Sequence, residues 1–452
     1  MKTVTIVGSG VSGTLLTINL IKNYKSGQLT INLIEKESSK FNTGVAYSTE
    51  EFSHLLNVRA SGMSIFKDDT DHFYKWLNKF GYNYEKTDFV PRKIFGQYIK
   101  YYYKHAIINK SDDITFNVIF EEVKDIKKSK KGYEIQIGDD KNFTSDIVVL
   151  ALGHISIAEM DILKYKDIPK YFRTPWTDNI FKEIKKTDDV FMIGSGLTTD
   201  DIILSLEERK HEGKIYSTSR KGSQPLKHQL CDPYPSFYDE IKGKDINQIF
   251  SIVRYHLKMA RDPRAVIDSL RPYTQEIWKS LSKSDKSRFL RHINGYWNVI
   301  RHRMPESTYE KLIELQKSNK LEFLTGNITS ISQIDNRIQI VINNKKSKSK
   351  EEIVVDAVIN CIGPESNYKR ITMPLIKNLL DSGLIQNNET NISLKLNGWN
   401  IIDSSGKTHK NLFAIGPLLK GELFESTAVP EIKVQSEELS KNILKCLNLV
   451  TV

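Results

Sequence analysis

The chain opens on an apolar strand pattern that runs straight into a glycine-rich turn. Residues 4–7 (VTIV) are mostly apolar, and residues 8–13 (GSGVSG) follow without a linker. Apolar positions then recur at Val11, Leu15 and Ile18, which is the spacing of one helix face. The pattern predicts a strand, a tight turn and a helix in immediate succession.

The glycine spacing in this turn is that of a dinucleotide-binding motif. Gly8 permits the tight turn, Gly10 lets a pyrophosphate approach the backbone, and Gly13 lets the helix pack closely on the strand. The N-terminus of the helix directs N–H groups and a positive dipole at a phosphate. A second predicted strand, 29–34, ends at Glu35, which is suited to accept hydrogen bonds from a ribose. Together these features predict a dinucleotide site; a glycine turn in an unrelated fold is the alternative.

A second stretch near residue 194 repeats this design. An apolar strand at 190–193 leads into Gly194 and Gly196, and a helix pattern follows, but Thr199 takes the place of the third glycine. The next predicted strand ends at Arg220, which a lysine follows, instead of at an acid. A cation at this position suits a 2′-phosphate, so NADPH is favoured over NADH. The alternative is a pair of solvent-exposed basic residues.

Residues 36–64 contain scattered glycines and serines and fit no regular element. A stretch of this kind after a first strand-helix-strand unit can lie along an extended dinucleotide, whereas the alternative is a surface loop without a ligand. The residues within reach of the nucleotide on the first interpretation are Gly44, Tyr47, Asn57, Ser61 and Met63.

Two similar groups of short strands lie on either side of the second turn in the sequence. Residues 114–153 and 321–363 each give strands, a polar turn, an apolar strand and a glycine exit. With the two glycine turns, this order predicts an α/β fold with two Rossmann-like dinucleotide-binding domains, the second nested in the first, and a mostly helical insertion. The predicted boundaries are 1–170 and 355–452 for the first domain, 171–227 and 321–354 for the second, and 228–320 for the insertion.

Near the C-terminus a predicted strand ends at Gly416, Pro417 follows, and a helix begins near 429–431. In two-dinucleotide flavoproteins a unit of this kind returns the chain to the first domain. The N-terminus of its helix points at the flavin ring, where it stabilises negative charge on a reduced flavin.

Composition and charge exclude several other classes of protein. No run of about 18 apolar residues is present and no leader-like segment precedes the first strand, so we expect a cytoplasmic protein without a membrane partner. The formal charge of +11 comes from lysines scattered among acids, which favours a solvated surface over nucleic-acid binding. The three cysteines are isolated, which argues against a redox disulfide. No cluster has metal-ligand spacing, so we predict no metal.

One strongly basic stretch lies within the predicted insertion. Residues 288–305 (RFLRHINGYWNVIRHRMP) carry several arginines and histidines around Trp297. We expect an insertion that covers a ligand pocket, with Arg291, Arg301 or Arg303 facing an anionic group. Structural salt bridges and nucleic-acid binding are the alternatives.

Motifs along the whole chain occur in a recognisable order. They are GSGVSG, HLLNVRASGMS, FVPRKIFGQYI, VVLALGH, IGSGLTTDD, STSRKGSQPLKH, the basic stretch, VINCIGP and IGPLLKGELFESTAVPEI. In this order they resemble FAD/NAD(P)-binding proteins of the YdhS-like family, which are related to single-chain flavoprotein monooxygenases of the N-hydroxylating type. The resemblance implies that FAD binds at Gly8, Ser9, Gly10, Gly13, Glu35, Asn57, Met63 and Gly416. It likewise implies that NADPH binds at Gly194, Gly196, Thr198 and Arg220.

The same resemblance implies an FAD-dependent, NADPH-consuming monooxygenase. It would act through a flavin C4a-hydroperoxide on a small polar, for instance amino, substrate, with O2 as its second substrate. Two features depart from related enzymes: segment 168–176 (IPKYFRTPW) replaces an F-x-G-x-x-x-H motif, and Pro417 stands where many flavin reductases have an acid. The alternatives are an NADPH-dependent flavin reductase that passes electrons to a quinone or a protein, and a non-catalytic FAD/NAD(P)-binding redox sensor. The sequence assigns neither a catalytic side chain nor an oligomeric state.

The cation that follows the second domain's second strand generates a prediction about cofactor choice. We expect Arg220→Ala to raise the apparent KM for NADPH far more than that for NADH, because only NADPH carries the 2′-phosphate. Steady-state kinetics with both cofactors measure the two effects. Equal changes for NADPH and NADH would contradict the assignment.

Overall fold

The computed structural model describes residues 2–163, 167–177, 180–344 and 347–449, and it has the predicted α/β fold. The strands of this part of the chain, in order, are β1 (Lys2–Val7), β2 (Leu29–Ile34), β3 (Ile114–Ile119), β4 (Val123–Ser129), β5 (Gly132–Ile137), β6 (Lys141–Ser145), β7 (Ile147–Leu150), β8 (Tyr171–Phe172), β9 (Val190–Ile193), β10 (Ile215–Ser219), β11 (Leu321–Thr325), β12 (Asn327–Ile334), β13 (Arg337–Asn344), β14 (Ser349–Val355), β15 (Ala357–Asn360), β16 (Leu396–Asn397), β17 (Asn400–Ile402) and β18 (Thr408–Ala414).

The helices join and cover these strands. In order they are α1 (Val11–Asn23), α2 (Gly44–Tyr47), α3 (His72–Lys79), α4 (Arg92–Ile108), α5 (Ile180–Glu183), α6 (Leu197–Glu208), α7 (Tyr238–Ile241), α8 (Ile246–Met259), α9 (Pro263–Leu270), α10 (Thr274–Ser280), α11 (Lys283–His292), α12 (Asn294–Arg301), α13 (Glu306–Lys317), α14 (Pro374–Asp381), α15 (Lys420–Leu423) and α16 (Val429–Cys446). None of the helices so described is both long and apolar enough to cross a bilayer.

The first sheet has the strand order β16-β17-β18-β7-β1-β2-β3. Its strands from β18 to β3 are all parallel, and the short antiparallel pair β16–β17 forms one edge. Helices α1, α4 and α16 pack on one face, while strands β4 and β5 and helix α14 pack on the other. Every residue of β2 and β7 is buried. Burial on both faces explains why β7 is a continuous apolar run; in β2 the polar residues Thr30 and Asn32 are buried as well.

The second sheet has the order β11-β10-β9-β15-β8 and is parallel throughout. In the first sheet, β2 and β3 follow the central strand β1 on one side, and β7 lies on its other side. In the second sheet, β10 and β11 follow β9 on one side, and β15 lies on its other side. Ligands of open α/β sheets bind outside the strand ends at such a reversal. Strand β15 lies in this sheet although the predicted boundary at 354 assigns it to the first domain, and the domain boundaries stay predictions.

Two antiparallel meanders, β4–β6 and β12–β14, accompany the two sheets as the sequence predicts. Each meander ends in an acid that fixes it to the central strand of its domain. Asp146 accepts a hydrogen bond from the backbone N–H of Thr3 at 2.8 Å, and Asp356 accepts one from that of Asp189 at 2.7 Å. The same local device therefore places β7 and β15 beside β1 and β9.

The predicted insertion is mostly helical and has an apolar core of its own. Helices α7 to α12 surround Trp278, which is 2% exposed. Phe424, which follows helix α15, enters this core and stacks on Trp278 with ring centroids 4.7 Å apart. Trp278 also donates a hydrogen bond from Nε1 to the carbonyl oxygen of Gly421 at 2.8 Å. The insertion is thus joined to the C-terminal part of the first domain.

Buried polar contacts connect the first domain to helix α6 of the second. Arg92 forms an ion pair with Asp201 at 2.8 Å, and both side chains are less than one fifth exposed. The His54 Nε2 atom lies 2.7 Å from the Ser205 hydroxyl. Breaking a buried ion pair leaves an uncompensated charge, so these contacts hold the two domains in one relative orientation.

Asp200 lies beside this interface, where Arg92 is already paired with Asp201. It is 2% exposed, and neither carboxyl oxygen has a hydrogen-bond partner within the described residues. Burial raises the pKa of Asp200 well above the ordinary carboxyl value; the charge of Asp201 raises it further, and Arg92 opposes the shift. The folded state therefore holds a proton on Asp200 more tightly than the unfolded state does.

This difference predicts a pH-dependent effect of Asp200→Asn on stability. Above about pH 4 the unfolded carboxyl loses its proton, so the raised pKa lowers the free energy of unfolding by up to about 1.4 kcal/mol per pH unit. Asparagine does not titrate, so the thermal unfolding temperature of the variant should rise relative to that of the wild type as the pH increases above about 4. The exposed Asp112→Asn variant is the control. A shift that is the same at every pH would contradict the prediction.

Candidate functional site

The first glycine turn lies between the carboxyl ends of β1 and β7. Gly8 has φ of +102°, and a Cβ atom built on it would lie 2.5 Å from the carbonyl oxygen of Ala151. A Cβ on Gly13 would lie 2.0 Å from the carbonyl oxygen of Gly8. Both distances exclude a side chain, so these two glycines let strand, turn and helix approach one another.

Helix α1 begins at this turn without a side-chain cap. Its N-cap residue, Gly10, makes no capping hydrogen bond through a side chain. A Cβ on Gly10 would meet only Gly44, whose Cα atom would be 3.6 Å away. The first N–H groups of α1 therefore have no side-chain cap, and only glycine backbone approaches Gly10, which suits a pyrophosphate.

Glu35 lies at the end of β2 and is held against the same turn. One of its carboxylate oxygens accepts hydrogen bonds from the Ser9 backbone N–H at 3.1 Å and from the Ser9 hydroxyl at 3.0 Å. The other oxygen accepts from the backbone N–H of Glu37 at 3.2 Å. The fold thus places an oriented carboxylate where the nucleotide motif requires a ribose acceptor.

Gly416 joins the C-terminal segment to the first turn. A Cβ on Gly416 would lie 2.4 Å from the hydroxyl oxygen of Ser12 in α1, and φ is +77°. Its backbone N–H donates to the Gln435 side-chain oxygen at 3.0 Å. The predicted C-terminal helix, α16, packs along α1. The structure therefore brings Gly8, Ser9, Gly10, Gly13, Glu35 and Gly416 to one region.

The two other residues assigned to FAD lie further along the chain and in different surroundings. Met63 is 2% exposed within the core of the first domain. Asn57 is half-buried, and its carbonyl oxygen lies 3.0 Å from the His228 Nε2 atom at the start of the insertion. Neither side chain has a hydrogen bond to the glycine turn in the described part of the chain, and their roles stay predictions.

The second glycine turn repeats the first with one change. Gly194 has φ of +122°, and its Cβ would lie 2.6 Å from the Cys361 carbonyl oxygen at the end of β15. Gly196 has open space around its Cβ position and begins helix α6 without a side-chain cap. Thr199, at the third glycine position, donates its hydroxyl hydrogen to the Gly194 carbonyl oxygen at 2.8 Å. This hydrogen bond replaces the close contact that a glycine permits, and Thr198 lies half-buried in the same helical turn.

The cation proposed for the 2′-phosphate stands where the sequence pattern places it. Arg220 is exposed directly after β10 and has no ion pair with any described residue. The next residue, Lys221, lies with its ammonium 4.1 Å from the ring centroid of Tyr296 in the insertion. The guanidinium of Arg220 is therefore free for a ligand.

A cluster of buried charged groups, which sequence analysis did not assemble, lies beyond Gly416. Arg301 at the end of α12 pairs with Glu425 at 3.0 Å, and Glu431 in the first turn of α16 is 4.0 Å away. All three side chains are at most 16% exposed. Trp297 donates its indole N–H to Glu425 at 3.2 Å. We call Arg301, Glu425, Glu431, His302, Lys420 and His154 the charged cluster.

Burial changes the protonation of this cluster. Burial lowers the pKa of His302 to about 4, with a further contribution from Arg301, and lowers the pKa of His154 to about 4 with help from Lys420. Burial also lowers the pKa of Lys420 and raises that of Glu431. Both histidines are therefore neutral at pH 7 and able to accept or donate a hydrogen bond.

The arginines of the basic stretch take three different environments. Arg303 is fully engaged, because its guanidinium forms two hydrogen bonds of 2.9 Å with Asp268 and one of 3.1 Å with the Arg264 carbonyl oxygen. Arg291 is exposed to solvent. Of these three arginines only Arg301 lies in the charged cluster. Arg301 is therefore the one of the three that remains a candidate for binding an anionic group.

The described residues contain no group of three or more His, Cys, Asp or Glu side chains that could hold a metal ion. Both glycine turns, in contrast, fit a dinucleotide. Each has an uncapped helix N-terminus, and the first adds an oriented carboxylate. A Cβ on Gly196 would meet no atom within 4 Å, whereas one on Gly10 would lie 3.6 Å from the Gly44 Cα atom.

Comparison with known proteins agrees with this fold. The sequence model of a family described as FAD-NAD(P)-binding matches residues 5–155. No curated protein matches the sequence. The structure is similar to L-lysine 6-monooxygenase from Pseudomonas syringae, with a TM-score of 0.68, 13% identity and coverage of 99% of this chain and 100% of that one.

Two other solved structures place the chain in the same fold. The ornithine N-hydroxylase of Kutzneria sp. 744, solved with reduced FAD, NADP+ and L-ornithine, has a TM-score of 0.64, 13% identity and coverage of 98% of each chain. The thioredoxin reductase of Lactococcus lactis has a TM-score of 0.53, 12% identity and coverage of 99% of each chain. The predicted fold class is therefore confirmed.

The second turn allows a test that separates ligand binding from folding. We expect Gly196→Ala to leave the thermal unfolding temperature unchanged, because its Cβ would meet no atom within 4 Å. NADP+ affinity, measured by calorimetry, should fall about tenfold or more, because the methyl group would occupy the space of a pyrophosphate.

The paired variant Gly194→Ala, unlike Gly196→Ala, should lower the thermal unfolding temperature. The positive φ of Gly194 and its close contact with the Cys361 carbonyl oxygen predict a loss of about 1–3 kcal/mol in the free energy of unfolding. Full NADP+ affinity in Gly196→Ala would mean that no pyrophosphate lies at this turn.

Proposed function

We propose that the protein is an FAD-dependent, NADPH-consuming monooxygenase that acts on a small polar substrate with O2, in the cytoplasm, and that it is related to the YdhS-like family. The observation that carries this proposal is the pair of matching glycine turns, each at the strand-order reversal among the parallel strands of its own sheet. Such a pair supports one protein that holds two dinucleotides and passes a hydride between them. A reduced flavin would supply the oxygen chemistry.

The residues of this chain would bind and orient the two cofactors. The N–H groups at the start of α1 and Glu35 would hold the pyrophosphate and ribose of FAD. The start of α6 and Arg220 would hold NADPH, with the guanidinium on the 2′-phosphate. The N-terminus of α16, which begins beside Gly416, would favour negative charge on the flavin ring.

The cysteines argue against a disulfide reductase, although two-dinucleotide reductases share the fold. Cys361 is buried at the end of β15, Cys446 is exposed at the end of α16, and Cys231 lies in the insertion. All three are free, and none is within a few residues of another. Electrons would therefore leave the flavin without a cysteine pair, as in an oxygenase.

The charged cluster is the proposed substrate region. Two buried polar atoms in it, Nε of Arg301 and one carboxylate oxygen of Glu431, have no hydrogen-bond partner among the described residues. A buried donor and a buried acceptor are costly to leave unpaired, so a ligand that supplies both partners would bind here. A small molecule with an acidic group for Arg301 and an amino group for Glu431 satisfies both atoms.

Rapid-mixing absorbance measurements test this function. The purified protein is first mixed with NADPH without oxygen, and bound flavin should be reduced. On mixing with aerated buffer, a monooxygenase should give a transient absorbance before oxidised flavin returns. Direct return of oxidised flavin would indicate a reductase, and flavin that NADPH does not reduce would indicate a redox sensor.

A variant of the charged cluster then tests the substrate region. Arg301→Ala should retain FAD and its reduction by NADPH, but it should lose the acceleration of NADPH oxidation by any amino-carboxylate compound that stimulates the wild type. Arg291→Ala, which changes an exposed arginine of the same stretch, is the matched control. Unchanged kinetics in Arg301→Ala would remove the charged cluster from substrate binding.

A further inference from the structure

The helical insertion contains an apolar cavity that the proposed reaction does not use. The cavity has a volume of about 140 Å³ and lies between helices α8 to α12. Its walls include Ile249 and Val253 of α8, Leu270 of α9 and the aromatic rings of Trp278, Trp297 and Phe424. Native cores rarely leave a void larger than a water molecule, so a space of this size in a small helical core is unusual.

Three of the polar groups on the cavity-lining side chains are used in hydrogen bonds within the protein. Trp278 donates its N–H to the Gly421 carbonyl oxygen, and Trp297 donates its N–H to Glu425. Thr274 donates its hydroxyl hydrogen to the Leu270 carbonyl oxygen at 3.3 Å. A water molecule needs two to four polar partners, which this cavity does not offer. The cavity is suited to an uncharged apolar group and not to water.

Two aromatic side chains of the cavity wall are also exposed at the protein surface. Phe250 of α8 is 43% exposed and Tyr296 of α12 is 57% exposed, and both rings line the cavity. Large aromatic side chains that are part cavity wall and part surface form an apolar entrance. A small molecule from solution would therefore enter without unfolding the insertion.

One wall of the cavity is held in an unfavourable backbone conformation. Phe424 has φ of +60° and ψ of −61°, which is rare for a bulky residue. This conformation directs its ring into the insertion, where it stacks on Trp278 and meets Phe289 edge-on at 5.2 Å. Strain of this kind persists only where surrounding contacts impose it, and it is common at ligand sites.

We propose that this cavity is a binding site for a small uncharged apolar group, of the size of one aromatic ring or a short alkyl chain. The volume matches such a group, since an apolar cavity of about 150 Å³ is known to bind benzene. The group belongs either to a separate small molecule or to an apolar part of the enzyme's own substrate. The cavity adjoins the charged cluster, because Trp297 and Phe424 form its wall and Glu425 lies directly behind them.

Binding of 4-fluorotoluene to the purified protein, followed by fluorine NMR, tests the proposal. The wild type should bind the probe saturably, with Kd of about 1 mM or below. Unlabelled toluene should displace it. The measurement does not require the protein to hold FAD or to turn over NADPH, so its failure is distinct from failure of the proposed function.

Two variants locate the binding. Val253→Trp places an indole in the cavity and should weaken probe binding about tenfold or more, whereas Ser251→Trp, on the exposed face of the same helix, should change it less than about twofold. Phe250→Glu puts a charge at the exposed entrance, so it provides the same test if Val253→Trp does not fold. Circular dichroism checks that each variant is folded.

The outcomes decide both the site and the origin of its ligand. A probe that is displaced by the polar compounds that stimulate NADPH oxidation occupies the place of the substrate's own apolar part. A probe that remains bound beside them marks a site for a separate molecule. Absence of saturable binding to the wild type, or equal binding to Val253→Trp and Phe250→Glu, would overturn the proposal.

Discussion

The close approach of a glycine to the end of a neighbouring strand is the constraint on which the rest of this structure depends. At Gly8 and at Gly194 a side chain would lie within 2.6 Å of a carbonyl oxygen of the adjacent strand end, in Ala151 and in Cys361. The contact sets the distance between the central strand and the returning strand of each sheet. It also leaves an uncapped helix N-terminus at the reversal, where an anionic ligand would be held.

The two turns reach the same geometry by different local chemistry. In the first, Gly13 lets the helix backbone touch the Gly8 carbonyl, whereas in the second the hydroxyl of Thr199 satisfies the Gly194 carbonyl. In the second turn, the Thr199 hydrogen bond thus takes the place of the close backbone contact that requires glycine in the first turn. For this reason the second turn lacks the third glycine of the motif. The second glycine also differs, because the Cβ position of Gly196 is open, whereas that of Gly10 lies 3.6 Å from the Gly44 Cα atom.

The charged cluster and the domain interface are costly arrangements that support the functional proposal. Glu431 and Asp200 are both buried with carboxyl oxygens that lack partners among the described residues, and burial raises the pKa of each. Groups of this kind reduce stability and are found where a ligand or a proton is handled. The insertion lies against the first of these groups, because Arg301 and Trp297 from α12 both contact Glu425, and Arg301 also lies 4.0 Å from Glu431.

The sequence by itself determined the two strand-turn-helix units, the acid at Glu35, the basic residue at Arg220 and the helical character of the insertion. These features depend on local spacing, backbone freedom and periodicity, which residues close in sequence determine.

The charged cluster, the Arg92–Asp201 contact and the apolar cavity were decided only by tertiary structure. Arg301 and Glu425 are distant in the chain, and their identities do not specify that they meet. Similarly, the sequence indicated three candidate arginines in the basic stretch. In the folded chain Arg303 forms an ion pair with Asp268, and of the three only Arg301 lies in the charged cluster. Long-range burial assigns the partner of a charge, and that assignment exists only once the chain has folded.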